Sequence, residues 1–156
     1  MPRHTFTVTQ DPQSPHFALA ADLTESGGFR SDATVMAATR DGATDAVAVF
    51  QNFTTAGCEV HFGATRANVF ARRDILKAFC YYAFYGLKVP ALTAIIPADN
   101  RACMGFALKV GFRPSGFMLA NHLCLADALI MSMPRADCLV LPPQAPHTTL
   151  TEHPVQ

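Results

Sequence analysis

The chain carries little charge and no excess of either sign. Twelve lysines and arginines balance twelve aspartates and glutamates among 156 residues, so the formal net charge is zero. No basic stripe able to neutralise a row of phosphates is present, which argues against a nucleic-acid binder and a polybasic membrane anchor. No apolar run approaches the ~20 residues needed to cross a bilayer. The opening residues Met1-Pro2-Arg3-His4-Thr5 lack the apolar core of a signal peptide. The five cysteines, Cys58, Cys80, Cys103, Cys124 and Cys138, form no C-x-x-C and no paired Cys/His spacing. Neither a disulfide framework nor a metal site is therefore expected. They read as reduced thiols, and the expected location is cytoplasmic. No internal repeat is visible.

What is present is apolar. Half of the residues are hydrophobic, enough for one globular domain to bury a core without staples. That domain is expected over residues 1–138. From 139 to 156 the composition turns Pro/Thr-rich and reads as a flexible tail.

Along the domain, Thr5 to Val8 reads as an opening strand, followed by a helix through Phe17–Leu23 that Gly27-Gly28 ends. Ala33–Thr39 and Ala46–Phe50 flank Arg40-Asp41-Gly42, where Asp-Gly is a hairpin signal. In Cys58-Glu59-Val60-His61-Phe62, Val60 and Phe62 alternate with Glu59 and His61, so one face is apolar and the other is free for chemistry. Arg72 to Leu87 reads as a helix on the stripe Ile75, Leu76, Phe79, Cys80 and Ala83. Its aromatic run, Phe79 to Tyr85, wraps more than one side and reads as a core face plus a homodimer contact.

Ala91–Ile96 is almost continuously apolar, as a buried central strand should be. Asn100 caps a short helix that Gly111 closes, and two strands follow, Phe112–Leu119 and Ala128–Met133, joined by a polar crossing around Asn121 and His122. Strand, helix, three strands, helix, strand, helix, two strands is an α/β order with a mixed sheet.

Pro97-Ala98-Asp99-Asn100-Arg101-Ala102-Cys103 leads through the helix to Lys109-Val110-Gly111-Phe112. This strand–Asn–helix–Gly-Phe layout resembles the acyl-CoA half-site of the GNAT acetyltransferase superfamily, whose members carry N-x-x-[AS] followed by K-x-G-F. The resemblance is strongest over Cys58 to Met133. It is closest to the branch that acetylates protein N-termini and small amines. The ending Asp127-Ala128-Leu129-Ile130-Met131-Ser132-Met133-Pro134-Arg135-Ala136-Asp137-Cys138 is similar to that of short acetyltransferase-like proteins of phages and bacteria.

The resemblance implies a GNAT-type mixed, mostly antiparallel sheet with flanking helices and a splayed parallel strand pair, Cys58–Phe62 and Leu92–Ile96. Acetyl-CoA would be the co-substrate, its pantetheine bonding as a pseudo-strand along the unpaired edges. Backbone near Phe62 and Gly63 would polarise the thioester carbonyl. Ala71, Arg72, Arg73 and Asp74 would meet the pyrophosphate at a helix N-terminus, Ile96 and Asn100 would bond the pantetheine or acetyl region, and Phe106 would line the channel. The acceptor would be a small-molecule or peptide amine, its base Glu59 or His61, either acting through a water. The acceptor loops would be Thr54 to Gly57 and Met118 to Leu125.

Three departures stand out. The family's pyrophosphate loop is usually [RQ]-x-x-G-x-[GA], whereas Asn68–Asp74 contains no glycine. Arg72 and Arg73 then either bond phosphate oxygens directly or form a solvated first turn. Many members place a tyrosine seven residues after the Asn, where this chain has Ala107. The N-terminal acetylating branch often has serine where this chain has Cys103, which is either a thiol acid or a small core residue. A non-catalytic acyl-CoA-fold module binding coenzyme or a protein partner is the alternative reading.

Overall fold

A computed structural model describes residues 3–120 and 126–144. Seven strands form one sheet in the order β1-β2-β3-β4-β5-β7-β6. They are β1 (Thr5–Thr9), β2 (Thr34–Arg40), β3 (Ala43–Thr54), β4 (Gly57–Ala64), β5 (Ala91–Pro97), β6 (Arg113–Met118) and β7 (Ala128–Pro134). Three α-helices accompany them, α1 (Pro15–Leu23), α2 (Arg73–Tyr81) and α3 (Arg101–Val110). Every neighbouring pair is antiparallel except β4 with β5. This is the mixed, mostly antiparallel sheet with one parallel pair that the resemblance implies. Among the described residues no helix is long and apolar enough to cross a membrane.

Period-two alternation sorts the side chains onto two faces. Val35 and Ala37 of β2, with Val47 and Val49 of β3, pack beneath Ala20, Phe17 and Leu23 of α1. The intervening Met36, Ala38, Ala46, Ala48 and Phe50 join Ile75, Leu76, Phe79 and Cys80 of α2 and Ala107 and Val110 of α3. Helix α1 therefore covers one face, while α2 and α3 cover the other. Strand β4 follows the expected split: Cys58, Val60 and Phe62 belong to the α2 side.

Several boundaries differ from the sequence reading. Helix α1 stops at Leu23, before the Gly27-Gly28 pair, because Glu25 takes a left-handed φ of 53°. Ser26 N–H then donates to Ala21 C=O (2.9 Å) and Glu25 N–H to Asp22 C=O (3.3 Å), closing a Schellman cap without glycine. The aromatic helix also breaks earlier than expected. It is α-helical only from Arg73 to Tyr81 and continues as a π-helical turn over Tyr82–Gly86, with Leu87 N–H donating to Tyr82 C=O at 2.8 Å. The wider turn keeps Ala83 and Phe84 buried together while Tyr81 and Tyr85 face outward, their rings 4.9 Å apart.

Residues 139–142 are docked on the domain, although composition assigns them to a tail. Leu141 is 5% exposed within the core. Leu139 N–H donates to Val110 C=O (2.8 Å), and the Arg135 guanidinium donates to Pro142 C=O (2.7 Å). Burial of Leu141, with half-buried Val140 beside it, outweighs the prolines that follow.

A cleft where two strands part

The parallel pair β4–β5 is short. Cys58 pairs with Leu92 and Glu59 with Thr93, and the ladder ends there although β4 runs on to Ala64 and β5 to Pro97. Beyond the split, strand edges face each other across open space, and backbone groups that a sheet would satisfy are available to a ligand. Gly57 makes the close start of the ladder feasible. Its φ is 145°, and a Cβ there would lie 2.1 Å from the carbonyl oxygen of Ala91. Antiparallel pairing with β3 and β7 holds the outer sides of both strands, so the opening is built into the sheet.

A cleft of about 500 Å³ occupies the split. Val60, His61 and Phe62 of β4 form one wall and Ala94 to Pro97 of β5 the other. Asn100, Cys103, Phe106 and Ala107 of α3 line it too, as do Leu23–Glu25 at the end of α1, Ala67, Phe70 and Phe112. Its floor is aromatic. Phe62 stacks on Phe79 (6.0 Å, 8°) and meets Phe70 and Phe106 edge-on at 5.8 and 6.4 Å.

Six sequence-selected positions, His61, Phe62, Ile96, Asn100, Cys103 and Phe106, thus converge in one cavity. The others lie outside it. Glu59 sits behind His61, its Oε2 3.9 Å from His61 Nε2 and its Oε1 accepting from the Asn52 carboxamide at 3.1 Å. Gly63 is covered by α1, where a Cβ would stand 2.8 Å from that of Leu23. Ala71, Arg72, Arg73 and Asp74 form the approach to α2 rather than the cleft wall. Arg72 Nε donates to Asp74 at 3.3 Å, and Arg73 reaches the Leu139 carbonyl at 3.4 Å. Both guanidiniums are therefore engaged within the chain.

Asn100 has a structural duty as well. Its Oδ1 accepts from Cys103 N–H (3.1 Å), capping α3, which leaves both carboxamide N–H donors to a ligand. Burial raises the Cys103 thiol above its usual range, keeping it protonated at neutral pH. Ala107 lines the cleft where a tyrosine would have offered a hydroxyl, and presents only a methyl.

The state of His61 follows from its neighbours. Arg30 N–H donates to Gln51 Oε1 at 2.8 Å, which orients the carboxamide so that Gln51 Nε2 is the group 3.3 Å from His61 Nε2. With Gln51 as donor, the neutral ring carries its proton on Nδ1 and its lone pair on Nε2. Burial lowers the histidine's proton affinity, and the Glu59 carboxylate opposes this. His61 is therefore a neutral base at pH 7 whose lone pair makes only one long hydrogen bond.

Sequence reasoning missed the contribution of α1. Leu23–Glu25 line the cleft because of a left-handed turn that no glycine announces. Phe70 was legible as an aromatic in a loop lacking glycine. Of the expected acceptor loops, Thr54–Gly57 is the β3–β4 turn and lines no part of the cleft, and residues 121–125 lie outside the described residues. No group of histidine, cysteine or acidic residues among the described ones is arranged to hold a metal ion.

With this geometry in hand, comparison with known proteins places the fold. No protein-family model and no curated protein sequence matches the chain. Solved structures do. A spermidine N-acetyltransferase SpeG mutant from Vibrio cholerae superposes with a TM-score of 0.67 at 10% identity, over 86% of this chain and 95% of that one. A GNAT family acetyltransferase from Elizabethkingia anophelis with acetyl-CoA bound gives 0.67 at 10% identity, over 85% and 98%. The N-acetyltransferase PseH of Campylobacter jejuni gives 0.61 at 16% identity, over 86% and 99%. The chain has the fold of the GNAT acetyltransferases, as the Asn100 motif implies.

Proposed function

We propose that the protein moves an acetyl group from acetyl-CoA to a primary amine by direct attack within a ternary complex. The observation that carries this reading is the cleft at the β4–β5 split, which brings a neutral histidine and a protonated thiol to one cavity. The fit to the co-substrate is physical. The facing strand edges suit the amide groups of pantetheine, and the aromatic floor of Phe62, Phe70 and Phe106 suits its methylenes. The approach to α2, with Ala71, Arg72, Arg73 and Asp74, would meet the pyrophosphate once Arg72 releases Asp74.

In the reaction, His61 takes a proton from the acceptor ammonium at Nε2, giving up its bond to Gln51 and gaining Glu59 as counter-charge. The freed amine forms a C–N bond to the thioester carbonyl carbon, whose oxygen is polarised by backbone N–H at Phe62. The C–S bond breaks, and Cys103 gives its proton to the departing thiolate. The nitrogen's second proton passes through solvent to restore the Cys103 thiol, and His61 releases its proton to solvent, which resets both groups. Cys103 supplies the acid that Ala107 cannot.

The alternative, a module that binds coenzyme or a protein partner without chemistry, is favoured by the glycine-free loop and the Arg72–Asp74 pair. Thiol release measured across a panel of amines with acetyl-CoA separates the two. Turnover supports the enzyme; binding without thiol release supports the module.

A further inference from the structure

The acceptor's charge is written in the cleft. All twelve lysines and arginines of the chain fall among the described residues. None of them lines the cleft, and among the described residues Glu25 is its one acidic lining residue. An acceptor bearing a carboxylate or phosphate would find no cation there to replace its water, and burial of an unpaired anion is strongly unfavourable. A cationic acceptor would find Glu25.

Glu25 differs from the neighbouring carboxylates in being uncommitted. Asp32 accepts the backbone N–H groups of Asn52 and Phe53 at 3.0 and 2.9 Å, and Glu59 accepts from Asn52 Nδ2. The Glu25 side chain makes no hydrogen bond or ion pair among the described residues. Its position is also conformationally costly. It holds the left-handed site of the α1 Schellman cap, which glycine suits best, although glycines stand two and three residues later. Thr24 fastens the turn by donating its hydroxyl to Ala20 C=O at 2.7 Å. The chain thus places an acid at the cleft mouth where folding alone would favour glycine.

We infer that the acceptor is a diamine, or an amine with a second cationic group, whose non-reacting ammonium is bound by Glu25. This rests on the acetyl-transfer reading above and extends it to a substrate class. The reacting nitrogen goes to His61, and the methylenes between the two nitrogens run along Leu23 and Phe62. Glu25 acts on binding and orientation, not on the proton transfer.

The test compares three acceptors of equal chain length with the intact protein and acetyl-CoA: an α,ω-diamine, the monoamine and the ω-amino acid. Expected kcat/KM falls in that order. Glu25→Gln should shrink the diamine-to-monoamine ratio by about fivefold, the size of a solvent-exposed ion pair, mainly through KM. Glu25→Gly should shrink it equally and raise Tm by about 2 to 4 °C, since it relieves the left-handed backbone. Loss of stability in Glu25→Gly would reveal a structural role instead. An amino acid used as well as the diamine, or a ratio unmoved in Glu25→Gln, overturns the inference while leaving acetyl transfer intact. Failure of acetyl-CoA to bind at all, followed by calorimetry, overturns both.

Discussion

Glu59 and Thr93 are the last paired residues of the parallel ladder, and five residues of β4 and four of β5 continue past them unjoined. Everything proposed for the site depends on this early end. A ladder continued to Ala64 would fill the cleft with backbone hydrogen bonds and bring β5 side chains against Phe62. The β5 edge from Ala94 to Pro97 instead borders the cleft. Pro97 contributes directly, since it has no N–H to offer a neighbouring strand.

The start of that ladder is set by Gly57. Gly57→Ala should cost about 2 to 3 kcal/mol, because its Cβ overlaps the Ala91 carbonyl and its φ opposes a side chain. Thermal unfolding should show a Tm lowered by roughly 5 to 10 °C. An unchanged Tm would mean that β5 does not approach β4 as described.

Asn100 carries two roles that substitution can separate. Asn100→Ala removes the α3 cap, at about 1 kcal/mol, together with the ligand-facing N–H groups. Asn100→Asp keeps a cap oxygen but offers no carboxamide donor. Both variants should bind acetyl-CoA more weakly than the parent, with Asn100→Asp retaining the parent Tm. Equal affinity in Asn100→Asp would assign Asn100 to capping alone.

Some of this was legible in the sequence and some was not, for identifiable reasons. The alternation of Val60 and Phe62 with Glu59 and His61 gave β4 its faces, because a strand's period of two leaves no other arrangement. The cap at Asn100 and the stop at Gly111 gave α3, since both depend on residues within one turn. The end of α1 was hidden, because a glutamate in a left-handed turn contradicts local preference. Its position was set by Leu23 packing over Gly63, forty residues away in sequence. The engagement of Arg72 and Arg73 was equally hidden. Arg73 meets Leu139 only because 139–142 folds back onto the domain.

His61 should govern the acid side of the pH profile. The reaction needs the neutral ring, so activity falls as pH drops through the His61 pKa, which burial holds below the ordinary 6.5. The acid limb of kcat/KM should therefore lie below pH 6.5. Gln51→Met removes the donor that favours the neutral form and should move that limb to higher pH. His61→Gln should lower kcat by about 100-fold or more. A limb that stays in place in Gln51→Met would point to Glu59 as the base.

A separate acid-sensitive contact ties the start of the chain to the sheet. His4 Nε2 lies 2.7 Å from Asp45 Oδ2, with the His4 side chain fully buried. The hydrogen bond from His4 is the largest cause holding the Asp45 carboxyl below its usual range, and Arg40 and Arg66 add to it. A depressed folded-state pKa means that Asp45 stabilises the fold above about pH 4 and loses this as pH falls through the folded value. Asp45→Asn should lower stability at pH 7 by about 1 to 2 kcal/mol and flatten the decline below pH 4. Urea unfolding at pH 7 and pH 3 measures both, and a parent protein equally stable at the two values would remove Asp45 from the account.

The most direct test is calorimetric titration of the protein with acetyl-CoA. The cleft at the β4–β5 split predicts one site per chain with a dissociation constant between about 1 μM and 1 mM, weakened in Asn100→Asp. Absence of binding at coenzyme concentrations of several times about 1 mM would contradict the assignment of the cleft and, with it, the proposed reaction.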